Sequence, residues 1–192
     1  MATNYKINKK QLLKDYPYIS KNRLEIVLRD NEYKTERGLR NHLAKVNAAY
    51  EKLANQKDVL RMTIKIDWKR NRTYGNYDPH ASYYVVYQDG TSDSDRGFSC
   101  DGGNYDKEST VVLNIFNTVL RGMLWRKRNS RKEKPYGVYC EKNSFPHFGW
   151  GIGMSSVEDI VEWLGGKMKH TAWTDVFDQY DINFPKRKAA KL

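Results

Sequence analysis

The chain has few cysteines and no long apolar segments, which excludes several classes of protein. It has only two cysteines, Cys100 and Cys140, which is too few for a disulfide framework and leaves no C-x-x-C metal motif. No apolar run approaches the roughly 18 to 20 residues that cross a bilayer. The polar start of the sequence lacks the apolar core of a signal peptide. We therefore expect a cytoplasmic protein with free thiols and no membrane partner.

Catalytic and cofactor motifs are also scarce. Gly97, Gly102 and Gly103 do not form a phosphate loop, and no nucleophile motif surrounds the 4 histidines. We therefore expect no cofactor and no metal, and a binding protein rather than an enzyme.

One triplet keeps an enzymatic alternative open. Asp67 and Lys69 have the carboxylate-x-lysine spacing of restriction-type nucleases, and Asp58 upstream would be a second metal ligand. Two carboxylates would hold Mg²⁺ while the lysine helps to activate water. An alternating charged strand often contains such a triplet by chance. The candidate catalytic residues of a metal-dependent nuclease acting on RNA or DNA are thus Asp58, Asp67 and Lys69.

Positive charge is abundant and concentrated. The chain has 34 Lys and Arg against 23 Asp and Glu, a formal net charge of +11. Much of the excess lies in one stretch whose cations are Arg121, Arg126, Lys127, Arg128, Arg131, Lys132, Lys134 and Lys142. The tail over residues 185–192 adds Lys186, Arg187, Lys188 and Lys191. Such a concentration of charge favours a polyanionic partner, above all nucleic acid.

A second candidate binding region is the tip between the first two predicted strands. It mixes cations with aromatic rings around Gly75: Lys69, Arg70, Arg72, Tyr74, Tyr77 and His80. Cations reach phosphates and aromatic faces stack on unpaired bases, so this mixture suits single strands or RNA loops. An ordinary exposed loop is the alternative.

The N-terminal region has helical periodicity. Apolar residues recur with helical spacing at Leu39, Leu43, Val46, Tyr50 and Leu53. Ser20 is a candidate N-cap for a helix over 23–30, and residues 12–13 predict a third short helix. These helices form either an arm packed on the main domain or a helix-turn-helix in which Arg37 and Arg40 read an operator. The second alternative is a DNA-binding transcriptional autoregulator.

From residue 61 the apolar period changes from 3.6 to 2. This predicts a strand, then a second strand over 83–88 that ends at a turn of Asp89 and Gly90. A polar loop over 91–103 leads to a buried helix that begins near Asp106 and continues past Leu124. Short strands are expected over 136–140 and 148–152.

The last part of the chain completes an α+β pattern. Ser155 and Glu158 form a capping box, and Gly165 and Gly166 end the helix that follows. A closing strand is expected over 172–180. We predict an N-terminal helical arm and a small mixed or antiparallel sheet packed with two helices, in the order β-β-α-β-α-β. The expected units are residues 1–58, 59–184 and 185–192.

The segment over 99–110 resembles small phage and mobile-element proteins that carry a Gly-Tyr-Asp-Lys-x-Ser turn entering a helix. Tyr105, Asp106 and Lys107 match that turn, Asn104 replaces its glycine, and residues 68–70 and Asn117 are similar as well. The resemblance implies an accessory protein of a bacterial host cytoplasm that binds RNA, DNA or a Cas-type ribonucleoprotein. Host-defence evasion as an anti-CRISPR inhibitor of a Cas nuclease is the specific function that it suggests.

Overall fold

Three helices open the described part of the chain. The computed structural model describes residues 7–30, 33, 35–73, 75–100, 107–140, 145–149 and 151–186. The helices are α1 (Lys9–Asp15), α2 (Lys21–Asp30) and α3 (Glu36–Ala54). The side chains of Asn8, Ser20 and Thr35 each accept a hydrogen bond of 3.1 Å from the backbone N–H three residues later, which satisfies a free donor of the first turn. The predicted N-cap at Ser20 and all three predicted helices are therefore confirmed.

The three helices bury their apolar faces against one another. Their common core contains Leu12, Leu24, Leu39, Leu43, Tyr50 and Leu53, together with Trp125 from a later helix. Leu43 is fully buried, as its place in the predicted apolar stripe requires.

The rest of the described chain adds seven strands and three more helices. The strands are β1 (Val59–Arg70), β2 (Tyr77–Tyr87), β3 (Ser92–Ser99), β4 (Val138–Tyr139), β5 (His147–Phe148), β6 (Lys167–Thr174) and β7 (Phe177–Asn183). The helices are α4 (Lys107–Val119), α5 (Arg121–Lys127) and α6 (Met154–Leu164). Five strands form an antiparallel sheet in the order β3-β2-β1-β7-β6, and β4 pairs with β5. The predicted α+β class with N-terminal helices is confirmed.

One face of the five-stranded sheet forms the main core. Met62, Ile64 and Ile66 alternate along β1 and lie opposite apolar residues of β2. Helices α4, α5 and α6 supply the other side of this core, with Phe116, Leu124 and Ile160 among its fully buried side chains. Because side chains alternate across a strand, the residues between these core positions lie on the opposite face.

The long helix expected from residue 106 is divided at Leu120, so its prediction as one helix is wrong. The side chain of Gln56 occupies the break: its amide donates 2.6 Å to the carbonyl of Thr118 and its oxygen accepts from the N–H of Gly122. The short helix α5 then lies between the two cores. Leu124 belongs to the sheet core and the adjacent Trp125 to the core of the N-terminal helices.

The end of the chain also differs from the prediction. Helix α6 begins at Met154 with Gly153 as N-cap, and no side chain caps it, so the capping box of Ser155 and Glu158 is wrong. Gly165 ends the helix as predicted, since its φ of 96° is the left-handed conformation that glycine adopts readily. The single strand expected over 172–180 is two paired strands, β6 and β7, joined by a turn at 175–176.

The polar loop expected over 91–103 is also wrong for most of its length. Residues Ser92–Ser99 form the edge strand β3, which pairs with β2 through the backbone. The helix cap predicted at Asp106 and the turn that contains Asn104 lie outside the described residues. No helix in the described ranges is both long and apolar enough to cross a bilayer.

Candidate nucleic-acid interface

The second face of the five-stranded sheet carries no helix within the described residues. Alternation and strand register place the intervening side chains of all five strands on this surface, which we call the open face. Its positions include Arg61, Thr63, Lys65, Asp67 and Lys69 of β1, Ser82 and Tyr84 of β2, Ser94 and Arg96 of β3, Gln179 and Asp181 of β7, and Lys167 and Lys169 of β6. The open face is therefore polar and accessible.

Cations outnumber carboxylates on the open face. The acids at those positions are Asp67 and Asp181, against six Lys and Arg side chains, all six exposed. The register also places Asp78 opposite Lys69, but Asp78 is buried and paired with Lys107. The Asp181 carboxylate accepts hydrogen bonds of 2.6 Å from Thr63 and 2.8 Å from Thr171. Burial opposes its ionisation, but these bonds outweigh burial and lower the pKa of Asp181. The neighbouring Lys169 also favours the charged carboxylate. Arg61, Lys65 and Arg96 form no ion pair within the described residues and are available to an anion.

Tyr84 lines a shallow depression on this face. Its side chain is 51% exposed, although it lies in the second strand of the sheet. The depression has a volume of about 310 Å³, and its lining includes three hydroxyl groups, two cations and one carboxylate, namely Thr63, Ser82, Ser94, Lys65, Arg96 and Asp95. An exposed ring near cations is the combination that binds a base and its adjacent phosphates.

The hairpin of β1 and β2 extends beyond the neighbouring strands. Pairing with β7 ends at Asp67, whereas β1 and β2 stay paired to Arg70 and Tyr77. The predicted binding residues Lys69, Arg70, Arg72 and Tyr77 are all exposed here. Tyr74 lies outside the described residues. This tip therefore adds cations and one ring at the end of the open face.

The basic cluster predicted over 121–134 is not a uniform surface. The Arg126 guanidinium donates to the carbonyls of Ala54 and Gln56 at 3.0 and 2.9 Å, and its second nitrogen forms an ion pair with Asp58. Arg126 therefore caps the end of α3 and joins it to α5. Its donors are directed at the protein, so it is a poor candidate for phosphate binding.

Aromatic rings hold three further cations of the cluster. Arg128 lies 3.6 Å from the centre of the Trp125 ring, and Arg121 lies 5.0 Å from that of Phe145. Tyr50 joins the two pairs, since its ring stacks on both Trp125 and Phe145. Lys127 lies over the Trp163 ring at 4.8 Å. The stacking of Tyr50 attaches α3 to α5 and Phe145, and the cation–π contacts hold the cations against the same group of rings or against Trp163.

Burial accompanies these contacts. It lowers the pKa of Arg121, of Lys127 and of Arg128. By contrast, Arg131, Lys132 and Lys134 are exposed and form no ion pair within the described ranges. Lys186 is exposed as well, and Arg187 and Lys188 lie outside the described residues. The part of the predicted cluster that is accessible is thus residues 131–134.

The candidate nuclease residues do not converge. Asp58 precedes β1 and is paired with Arg126, whereas Asp67 lies near the other end of the same strand. Nine residues of extended chain separate the two carboxylates by about 30 Å, so they cannot share a metal ion. Among the residues that the structure describes, no three His, Cys, Asp or Glu side chains form a group that could hold a metal.

The two candidate operator-reading residues of the N-terminal helices differ in their contacts. Arg40, one of the two candidate operator-reading residues, is held at 3.0 Å by Asp15 and at 2.7 Å by Glu36. The pair with Asp15 joins α3 to α1, whereas the pair with Glu36 lies within α3. Arg37 is exposed.

Several residues of the open face were missed from the sequence. Arg61 and Lys65 alternate visibly with the core residues of β1, so one row of the face was predictable. Arg96 lies in a segment whose polar composition predicts a loop, and Tyr84 can be placed beside these cations only from the pairing of β1 with β2.

No family model matches the chain, and comparison with curated proteins and with solved structures finds no significant similarity.

Proposed function

We propose that the protein binds single-stranded nucleic acid on the open face of its sheet. The observation that carries this proposal is the exposed Tyr84 ring, which shares a depression with Lys65 and Arg96 on a surface free of helices in the described chain. Lys65 and Arg96 flank Ser82, two residues before Tyr84 on β2. One base stacks on Tyr84 while the two cations bind adjacent phosphates.

The geometry of the surface favours single strands over duplexes. A broad sheet face presents a ring to bases that are unpaired and splayed, whereas the bases of a duplex are stacked inside it. The serine and threonine hydroxyls around Tyr84 supply hydrogen bonds to a base edge or a ribose. The sequence alone also favours single strands, because the β1–β2 tip mixes cations with aromatic rings. Lys69 of that tip lies on the open face, so the tip extends the same surface.

Fluorescence anisotropy with labelled oligonucleotides tests the proposal. Single-stranded RNA, single-stranded DNA and a duplex of one sequence are compared with the wild type and Tyr84→Ala. Loss of one stacked base weakens binding by about fivefold to a hundredfold. Tyr136→Ala is the matched control, since Tyr136 is 71% exposed and lies outside the large sheet. Equal affinity of Tyr84→Ala and Tyr136→Ala, or no binding by the wild type, contradicts the proposal.

A salt titration tests the cations separately. In the double variant Lys65→Gln with Arg96→Gln, the dependence of log K on log salt should become shallower by about 0.7 for each phosphate of a single strand that is no longer neutralised. The pair Arg131→Gln and Lys132→Gln removes the same charge from the accessible part of the basic cluster. A slope that changes only in this second pair would move the site to residues 131–134.

Inhibition of a Cas nuclease, predicted from the resemblance to phage proteins, is a narrower form of the same proposal. The bound strand would then be exposed guide RNA or displaced DNA. The test is target cleavage by a guide-loaded Cas nuclease from a matching host, with near-equimolar protein. Unimpaired cleavage in the presence of excess protein would refute this form and leave strand binding itself to the anisotropy assay.

A further inference from the structure

A cleft away from the open face lies where the N-terminal helices meet the α+β region. Its volume is about 850 Å³, and its walls come from the end of α3, the turn between β2 and β3, the α4–α5 junction and Phe145. Its lining includes Lys52, Leu53, Lys57, Tyr87, Arg121 and Phe145. A cleft of this size accommodates a small organic molecule.

Arg121 is the unusual side chain of this cleft. Its Nε atom is buried and has no hydrogen-bond partner within the described chain. Its Nη2 atom donates to Asn117 at 3.3 Å, but the same oxygen also accepts from the N–H of Phe148 at 2.9 Å. No carboxylate of the described residues forms an ion pair with Arg121. The guanidinium is therefore a partly buried cation whose donors are incompletely used.

Such an arrangement is costly in the free protein. A buried charge without an acidic partner, and a buried N–H without an acceptor, both destabilise the folded state. Burial lowers the pKa of Arg121, because the charged guanidinium is less stable there than in water. An anion bound in the cleft would supply the missing countercharge, since a guanidinium binds carboxylate or phosphate through charge-assisted hydrogen bonds.

The surrounding charges favour phosphate. Lys52 and Lys57 also line the cleft, whereas Asp93 is the one carboxylate among its described lining residues. Lys57 is paired with Asp89 at 2.9 Å, and Lys52 is exposed. Leu53 and Tyr87 provide apolar surface beside these cations. A doubly charged phosphate with an organic body matches this lining better than a single carboxylate does.

We propose that this cleft binds the terminal phosphate of a nucleotide, with the phosphate on Arg121 and the nucleoside along Leu53 and Tyr87. The terminal phosphate comes either from a free mononucleotide or from the 5′ end of a strand. The site is distinct from the open face, and it does not depend on strand binding there.

Isothermal titration calorimetry with AMP and with inorganic phosphate tests the first source. A 5′-phosphorylated oligonucleotide and its 5′-hydroxyl counterpart test the second. Arg121→Gln should weaken the phosphate-dependent binding by about tenfold to a hundredfold. Lys52→Gln should weaken it by about twofold to fivefold and, being an exposed substitution, leave the fold intact. Arg131→Gln is the charge-matched control outside the cleft.

The outcomes separate cleanly. Saturable AMP binding that disappears in Arg121→Gln supports a free nucleotide as ligand. A preference for the 5′-phosphorylated strand that disappears in Arg121→Gln supports a strand terminus. If neither ligand binds in a phosphate-dependent way, or if Arg121→Gln and Lys52→Gln both bind like Arg131→Gln, the proposal is overturned. The effect of the 5′ phosphate is read as the ratio of the two oligonucleotide affinities, and AMP has no strand to place on the open face, so failure of the open face and failure of the cleft are distinguishable.

Discussion

Replacing Arg126 by glutamine should destabilise the protein, although sequence alone presents this residue as part of an exposed basic cluster. Its guanidinium joins the carbonyls of Ala54 and Gln56 at the end of α3 to the Asp58 carboxylate. Glutamine is shorter and uncharged, so it can replace at most one of these hydrogen bonds. The Asp58 side chain, 14% exposed, would be left without its cation.

The expected loss of stability follows from these interactions. A hydrogen bond to a charged group contributes about 1.5 to 3 kcal/mol, and such contributions within one network are not additive. Removal of one partner from a fully buried ion pair costs about 3 to 5 kcal/mol, and this pair is only partly buried. We expect a free energy of unfolding lower by about 2 to 4 kcal/mol, which for a chain of this size lowers Tm by roughly 5 to 15 °C.

Urea unfolding monitored by circular dichroism measures this change. Arg131→Gln is the control, since it removes an equal charge from an exposed position nearby. A double-mutant cycle with Asp58→Asn should give a coupling energy well above zero. If Arg126→Gln unfolds within about 0.5 kcal/mol of Arg131→Gln, the capping role of Arg126 is refuted. A joint replacement of Arg126, Lys127 and Arg128 would therefore not separate binding from folding.

Three further predictions concern other elements. Gly122→Ala should destabilise the protein by about 1 to 3 kcal/mol, because a Cβ atom there would lie 2.5 Å from the Cβ of Gln56; thermal unfolding measures the change, and an unaltered Tm would contradict it. Hydrogen bonds from Thr91 and Lys57 lower the pKa of Asp89 to about 2. The folded carboxylate is thus more acidic than the unfolded one, so the stability that it contributes is complete above about pH 4 and is lost as the pH falls towards 2. Urea titrations across this range should show a smaller loss of stability in Asp89→Asn than in the wild type. Identical losses would refute the pairing. Mg²⁺ or Mn²⁺ should produce no RNA or DNA cleavage by either the wild type or Asp67→Asn, and metal-dependent cleavage that disappears in that variant would establish the nuclease alternative.

Periodicity predicted the elements whose apolar faces are buried. The stripe that contains Leu43 gave α3, and alternation around Ile64 gave β1, because each element must turn one face towards a core. Strand β3 has no such face. Its residues Ser92–Ser99 are almost all exposed, and backbone pairing with β2 determines its conformation.

The candidate sites depended on contacts between distant parts of the chain. Local sequence shows that Arg126 is a cation, but only the fold shows that it meets Asp58 and the end of α3. Likewise, the spacing of Tyr84 and Arg96 in sequence does not reveal that they share one depression, because strand register places them together. Composition favours a polyanionic partner, which stays a prediction, and the topology is needed to propose a surface for it.

The position of α5 between two cores has a consequence for the order in which the protein is made. Helices α1 to α3 leave the ribosome first, yet Trp125, which completes their core, is synthesised only after three strands and most of two helices. Until then Tyr50 has no indole to stack on, and an apolar surface of the helices stays uncovered. Nascent chains that end before and after residue 125 should therefore differ in protease resistance within the N-terminal helices.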